Sequence, residues 1–226
     1  MKARYFIYFY GVSIADLNIS LLEPGSEVDA AADDIWRLLS VFDREFFPNL
    51  SARSDTTEHN LTKETLWGGP ISFFDTVMKE RILVASIEER VVGLLTFIPH
   101  YREEMLAPWS PSTYASTIGV LPQLRRRGIG SALNDALDHL PEELASPWIT
   151  RRTWSTNLAN LTMLHGRGFR DVVRMVDHRG KGVDTIYLAR PSNPATPFED
   201  PDTIVIENSA AFTAHKTKSS PGTHPS

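Results

Sequence analysis

TIGVLPQLRRRGIGSALNDALDHL, residues 117–140, is the stretch on which the fold turns. It opens with the end of an apolar strand, turns at Pro122, and passes through an Arg triplet into Gly128-Ile129-Gly130. From there Ile129, Ala132, Leu133, Ala136, Leu137 and Leu140 fall on one continuous helical face. A strand, a glycine-rich basic loop and an amphipathic helix therefore follow one another. At the start of a helix the first amide N–H groups lack intrahelical acceptors, and the peptide dipoles add partial positive charge. Gly128 and Gly130 carry no side chains to block close approach, so the amides of Arg126, Arg127, Gly128, Ile129, Gly130 and Ser131 are expected to cradle an anion such as a pyrophosphate. Arg125, Arg126 and Arg127 add positive potential around it. A bare Arg run is disfavoured beside the positive end of the dipole, and a bound anion removes the conflict.

Three other phosphate or nucleic-acid readings fail on the letters. A nucleotide P-loop needs Lys and then Ser/Thr after its second glycine, whereas Gly130 is followed by Ser131 and Ala132. A dinucleotide fingerprint needs a small residue where Leu133 stands. A nucleic-acid surface needs cations spread more widely than one triplet.

Working outward, the downstream chain gives a strand at 148–154, a helix from Asn157 to about His165, and a strand pair at 169–176 and 183–188. Upstream, residues 18–23 read as a strand, 29–42 as a helix with Ile35, Leu38, Leu39 and Phe42 on one face, and 70–79 as a second helix. Residues 81–87 and 91–98 form an expected hairpin around the polar link 88–90, followed by a loop over 99–112 and a strand at 114–120. The architecture expected is an α/β (α+β) domain over 18–190. Residues 1–17 read as an N-terminal arm or extra strand; Tyr5, Tyr8, Tyr10 and Gly11 interrupt what would otherwise resemble a secretory signal. Residues 191–226 hold six of the fifteen prolines and read as a flexible tail, with a possible strand at 203–207.

Composition bounds the chemistry. The 226 residues include 23 basic and 28 acidic side chains, for a net charge of −5, and no cysteine. Disulfides, thiolate metal sites and a catalytic thiol are excluded, and a mildly acidic chain is not a general nucleic-acid binder. No apolar run reaches the ~18 residues of a membrane span, and a cytoplasmic protein is expected, without a metal, as monomer or homodimer. The charge is uneven: residues 23–104 carry 8 basic and 16 acidic groups, net −8, and residues 113–190 carry 11 and 7, net +4.

The segment 117–140 resembles motif A of the GNAT superfamily of acyl-CoA N-acyltransferases, Arg/Gln-x-x-Gly-x-Gly/Ala, with Arg125, Gly128 and Gly130 in its three places. Val120 and Pro122 match the family's approach to the loop, and Asn157, Asn160 and Gly168-Phe169 resemble motif B. The resemblance implies a mixed, mostly antiparallel central sheet flanked by helices and splayed at the cofactor site between strands 114–120 and 148–154. It implies acetyl-CoA as cofactor, with Ile118, Gly119 and Val120 along the pantetheine arm, the loop amides on the pyrophosphate, and Asn157 and Asn160 facing the arm. The activity implied is direct acetyl transfer to a primary amine of a small molecule or peptide, with a backbone N–H of strand 114–120 on the oxyanion. The alternative is a non-catalytic acyl-CoA-binding regulatory module.

The sequence departs from the family at its proton-transfer groups. Leu164 occupies the place of a common tyrosine, His165 beside it reads as a surface residue, and strand 114–120 holds no carboxylate. Glu103 and Glu104, just before that strand, and Tyr114 at its start are the catalytic candidates. The loops and helices of 24–80 would form the acceptor side, where the acidic block would attract amines and Phe42, Phe46, Phe47, Trp67, Phe73 and Phe74 could line a pocket.

Overall fold

The computed structural model describes residues 16–57, 68–198 and 202–207, together with three two-residue strands at 3–4, 8–9 and 12–13. Trp67, most of residues 1–15 and the end of the chain from 208 lie outside the described residues. The elements run β1 (Ala3–Arg4), β2 (Tyr8–Phe9), β3 (Val12–Ser13), β4 (Asn18–Leu22), α1 (Ser26–Ala30), α2 (Ala32–Phe42), α3 (Ile71–Val77), β5 (Arg81–Ile87), β6 (Arg90–Tyr101), β7 (Ser112–Val120), α4 (Ile129–Asp138), β8 (Trp148–Trp154), α5 (Leu158–Gly166), β9 (Arg170–Met175), β10 (Thr185–Pro191) and β11 (Ile204–Ile206).

Nine strands form one sheet in the order β1-β4-β5-β6-β7-β8-β10-β9-β11. All neighbours are antiparallel except β7 with β8 and β9 with β11. This is the mixed, mostly antiparallel sheet that the sequence implies. The one parallel contact inside the domain needs a long crossover, and residues 121–147, which contain α4, supply it.

The helices cover both faces. Leu133 of α4 lies over Gly93, whose strand partner is Val120, while the ring of Phe42 at the end of α2 lies over Gly119 on the other side. Ile35, Leu38, Leu39 and Phe42 are fully buried, as their spacing predicts. The helix expected over 29–42 is two: the chain breaks at Ala31, whose φ of −98° and ψ of 5° are not helical. The loop expected over 99–112 is shorter, because β6 runs on to Tyr101 and a 3-10 segment at Glu104–Trp109 follows. Met105, Leu106 and Trp109 of that segment join Val172, Val173 and Tyr187 in a second apolar cluster. Beyond β10, Phe198 packs edge-on against Trp148 at 5.1 Å, and β11 pairs in parallel with β9.

Gly119 is fixed by packing. A methyl group built there would run into the ring of Phe42. Gly119→Ala is expected to destabilise the protein by about 1–3 kcal/mol through overpacking, read as a fall of several degrees in Tm; an unchanged Tm would contradict this packing.

Candidate functional site

β7 and β8 pair in parallel only from Ser112–Trp148 to Ala115–Arg151. Beyond that point the two strands part, and a cavity of about 620 Å3 opens between them. Ser116, Ile118, Gly130, Arg152, Asn157 and Asn160 are among its lining residues. Parting two neighbours in mid-sheet leaves backbone groups without ladder partners. On the β6 side Leu121 N donates to Val92 O at 2.9 Å, so by antiparallel alternation Gly119 and Thr117 also bond β6. The peptide groups of Ile118 and Val120 therefore face the cleft.

Ser116 lies where two irregularities meet. The β6–β7 register shifts between Thr96–Thr117 and Phe97–Ala115, which leaves Ser116 as the extra residue of a bulge. It is also the first residue of β7 after pairing with β8 ends. A bulge re-aims a side chain out of the regular pleat, and here the hydroxyl is held by the Thr96 and Glu80 side chains, with Thr96 O at 3.4 Å.

The glycine loop sits at the mouth of the cleft. Arg126 has φ 59° and Gly128 φ 83°, which turns consecutive N–H groups to one side. Among the described residues the first amide of this region with an acceptor is Ala132 N, on Gly128 O at 2.9 Å. Among the described residues the six amides from Arg126 to Ser131 find no acceptor. Gly128 is the N-cap of α4 and supplies no side-chain cap. A Cβ built on Gly130 would meet nothing closer than Val120 Cγ2 at 4.0 Å, so the space beside it is open. Those donors, that open space and the edge-facing peptides of Ile118 and Val120 suit a pyrophosphate and an extended amide-bearing arm. Ile129 itself is buried, so only its backbone faces the loop.

The three arginines divide in role. Arg125 is tied within the protein: Nε donates to Val120 O at 2.9 Å, and the guanidinium pairs with Glu45 just past α2. It straps the loop to the α2 side of the cleft. Arg126 and Arg127 make no ion pair among the described residues. Asn157 caps α5, accepting from Asn160 N at 3.4 Å, and Asn160 Nδ2 donates to Thr153 Oγ1 at 3.0 Å. The two asparagines thus line the cleft from α5 while holding the end of β8.

The catalytic candidates fall elsewhere. Tyr114 is buried in a stack with Tyr101, ring centroids 4.7 Å apart, and burial raises its phenol to about 12. Glu103 is buried and accepts from Tyr101 Oη at 3.2 Å, while Glu104 is exposed at the start of the 3-10 segment. None of the three is among the residues lining the cleft. Leu164 is fully buried, and His165 pairs with Asp171 at 2.8 Å on the surface.

A carboxylate one hydrogen bond behind the cleft is one the sequence reasoning missed. Glu80, the residue before β5, accepts from Ser116 Oγ at 2.6 Å and from Thr56 Oγ1. Ser116 Oγ also lies 2.6 Å from Thr96 Oγ1. Burial raises the Glu80 carboxyl above its ordinary range, and the bonds from Ser116, Thr56 and Thr96 only partly oppose this. In the sequence Glu80 is one acid among sixteen in 23–104. Its signal was its place at the threshold of the apolar run ILVASI, a position from which a side chain enters the core.

Of the acidic block assigned to the acceptor side, Glu27, Asp29 and Asp33 are exposed on α1 and α2, and residues 58–67 lie outside the described residues. Beyond Ser116, the arginines Arg53, Arg152 and Arg179 pack near one another. On β8, Arg151 faces Asn134 of α4, so Arg152 and Trp154 project to the opposite face. There Arg152 Nη2 donates to Thr56 O at 2.8 Å, and Arg179 and Arg53 both donate to the carbonyl of Phe47. Phe46 packs against Trp154 at 6.0 Å within this group, whereas Phe73 belongs to the main core.

The Acetyltransferase (GNAT) family model matches residues 36–169. A search of the curated proteins finds no match. Among solved structures, an acetyltransferase of the GNAT family from Streptococcus pneumoniae is 14% identical, with 78% of this chain and 99% of that chain covered and a TM-score of 0.54. An N-acetyltransferase from Staphylococcus aureus Mu50 is 15% identical, with 78% and 99% covered and a TM-score of 0.53. A structure of yncA from Salmonella typhimurium with its cofactor acetyl-CoA is 14% identical, with 80% and 98% covered and a TM-score of 0.52. These likenesses concern the fold, and acetyl-CoA is the cofactor of the matched family. With its family model spanning more than half of the chain and its sheet parted above a free-amide loop, this protein belongs to the acetyltransferase (GNAT) family.

Proposed function

We propose that the protein is an acetyl-CoA-dependent N-acetyltransferase that moves an acetyl group directly to a primary amine. The observation that carries this reading is the run of six amides, Arg126 to Ser131, with no acceptor among the described residues, opening onto the cleft where β7 and β8 part. When bound, acetyl-CoA supplies an acetyl thioester whose C–S bond breaks as the amine forms its N–C bond. The loop amides would hold the pyrophosphate, with Arg126 and Arg127 adding charge. The peptides of Ile118 and Val120 would extend the sheet onto the pantetheine amides, and Asn157 and Asn160 would close the opposite wall. Anchoring both reactants in one cleft provides much of the rate, and an edge-facing N–H such as that of Ile118 would steady charge on the carbonyl oxygen.

The amine must lose a proton. A free alkyl amine has a pKa near ~10, so about one molecule in a thousand is neutral at pH 7. Ser116 Oγ reaches the cleft and hands its own proton to Glu80 Oε2 as it receives the amine's. The buried carboxyl, raised above the ordinary range, suits a base working near neutrality. This assigns the proton to Glu80 in place of Glu103, Glu104 or Tyr114. A cytoplasmic location goes with this reading.

Two measurements test it. Gly130→Asp places a carboxylate in the anion cradle at a position where the fold has room and the helix dipole welcomes it. Tm should hold or rise while coenzyme A affinity, by calorimetry, falls at least about tenfold; retained affinity would remove the loop from the site. Glu80→Gln should lower kcat about 10²-fold. Because a protonated Glu80 cannot take up the proton, wild-type kcat/KM should rise with pH as Glu80 ionises above the usual carboxylate range, and the variant should lose that limb. A limb that persists unchanged would exclude Glu80 as the base. Coenzyme A binding with no thiol release from acetyl-CoA on any amine would leave the non-catalytic binding module instead.

A further inference from the structure

Resting on the acetyltransferase reading of the glycine loop, we propose that Arg151 and Asn134 are positioning residues for the cofactor's pyrophosphate: the buried Arg151 guanidinium acts on the anion through a chain of hydrogen bonds that runs by way of Asn134 and the Gly130–Ser131 peptide.

Asn134 is a polar residue on the buried side of α4, 2% exposed. A buried amide costs free energy unless its donors and its acceptor are used. Its Nδ2 donates to Gly130 O at 2.7 Å, in the first turn of the helix, and its Oδ1 accepts from Arg151 Nη2 on β8. The two bonds fix the orientation of the amide. Turned over, it would set its NH2 against a guanidinium and its oxygen against a carbonyl. Gly130 O is also the acceptor that the helix ladder assigns to Asn134 N, so the side chain brings a second donor to it.

The carbonyl of Gly130 and the N–H of Ser131 belong to one planar trans peptide and point in opposite directions. Ser131 N is the last of the amides with no acceptor among the described residues. From Arg151 outward, each unit therefore accepts at its oxygen and donates at its nitrogen: guanidinium to Asn134 Oδ1, Asn134 Nδ2 to Gly130 O, and Ser131 N–H to the loop. Hydrogen bonds aligned head to tail polarise one another in a low-dielectric interior. The cation thereby strengthens the Ser131 donor, and the second bond on Gly130 O holds that peptide in the direction an anion at the loop needs.

Arg151 is 4% exposed, and among the described residues its one hydrogen bond goes to Asn134. Its Nε is buried without a partner, and its guanidinium lies over the Phe169 ring at 5.7 Å. The acid that acts on it, Asp138, is bonded instead to Arg190 and Arg167. Burial first, and then Arg190, push the Arg151 guanidinium down to about 9, which leaves it charged at neutral pH. A buried cation with no anion of its own is costly, and two apolar side chains of similar size would fill the same place more favourably. An anion at the loop accounts for keeping it. Arg151 is also the last residue of β8 paired with β7. The chain of bonds thus ties the point where the strands part to the loop at the mouth of the cleft.

The test uses the full chain and coenzyme A. In the double variant Asn134→Leu/Arg151→Met the polar pair becomes apolar, so Tm should hold or rise. The Kd for coenzyme A, by calorimetry, should nevertheless rise about tenfold. Either single variant interrupts the chain, so Asn134→Leu and Arg151→Met should each lose about as much affinity as the double variant. Arg151→Lys, which keeps a charge and a donor, should keep part of it. In phosphorus NMR spectra of the bound cofactor, the diphosphate resonances should move relative to wild type while the 3′-phosphate resonance stays. Wild-type affinity in the double variant overturns the proposal, whatever happens to Tm. Additive losses in the two single variants overturn the chain through Asn134. Equal movement of all the phosphorus signals, or none at the diphosphate, overturns action at the pyrophosphate. Affinity lost in Gly130→Asp and kept in the double variant leaves the loop reading intact. Affinity kept in Gly130→Asp, or no binding of coenzyme A by the wild type, defeats the loop reading and this proposal with it.

Discussion

The rest of the structure depends on one break in a hydrogen-bond ladder. β7 and β8 run together for four residue pairs and then separate in the middle of a nine-stranded sheet. Unpaired peptide groups in a protein interior cost free energy unless water or a ligand satisfies them. At an ordinary sheet edge, solvent serves. Here the peptide of Ile118 and the N–H of Val120 face a walled cavity, Val120 O being taken by Arg125, with the amides of residues 126–131 at its mouth. The separation thus creates a strand-shaped vacancy with a row of N–H donors at one end, and the fold keeps it open by packing. Phe42 lies against Gly119 on one face, and Leu133 fills the space over Gly93 on the other.

The bulge at Ser116 gives the break its chemistry. A regular pleat would have paired Ser116 with β6, leaving its hydroxyl where strand alternation put it. The extra residue frees Ser116 at the position where β8 departs, and the hydroxyl settles between Thr96 and Glu80. On the far side, β8 sends alternate residues to opposite faces. Arg151 and Thr153 support α4 and α5, while Arg152 and Trp154 enter the chamber beyond Ser116. A period of two in one strand thus sends one set of side chains to support the helices and the other to the opposite face of the sheet.

Electrostatics follow burial more closely than they follow segment totals. The net −8 of residues 23–104 suggests an acidic acceptor side, and eight of its sixteen acids are exposed to solvent. What matters in a low-dielectric chamber is which few groups enter it. Among the described residues, the ionisable groups that line the cleft are Glu45, Arg125, Arg126, Arg151 and Arg152, with Glu80 one hydrogen bond behind Ser116. Glu45 and Glu80 come from elements distant from those arginines in the chain.

The sequence by itself determined the strand–loop–helix unit at 114–138, because a 3.6-residue apolar period and two glycines at a helix start are local properties of the chain. It likewise marked Arg125, Gly128, Gly130, Asn157 and Asn160, since each acts through spacing along its own segment. Boundaries set by tertiary packing, such as the break at Ala31 or the run of β6 to Tyr101, were not in that pattern. The tertiary structure alone decided that Glu80, Ser116 and Thr56 share a hydrogen-bond network, that Arg152 reaches Thr56, and that Arg179 reaches Phe47. Those contacts join residues separated by 24 to 132 positions. Their chemistry comes from burial and mutual proximity, which exist only once the sheet has brought distant strands side by side.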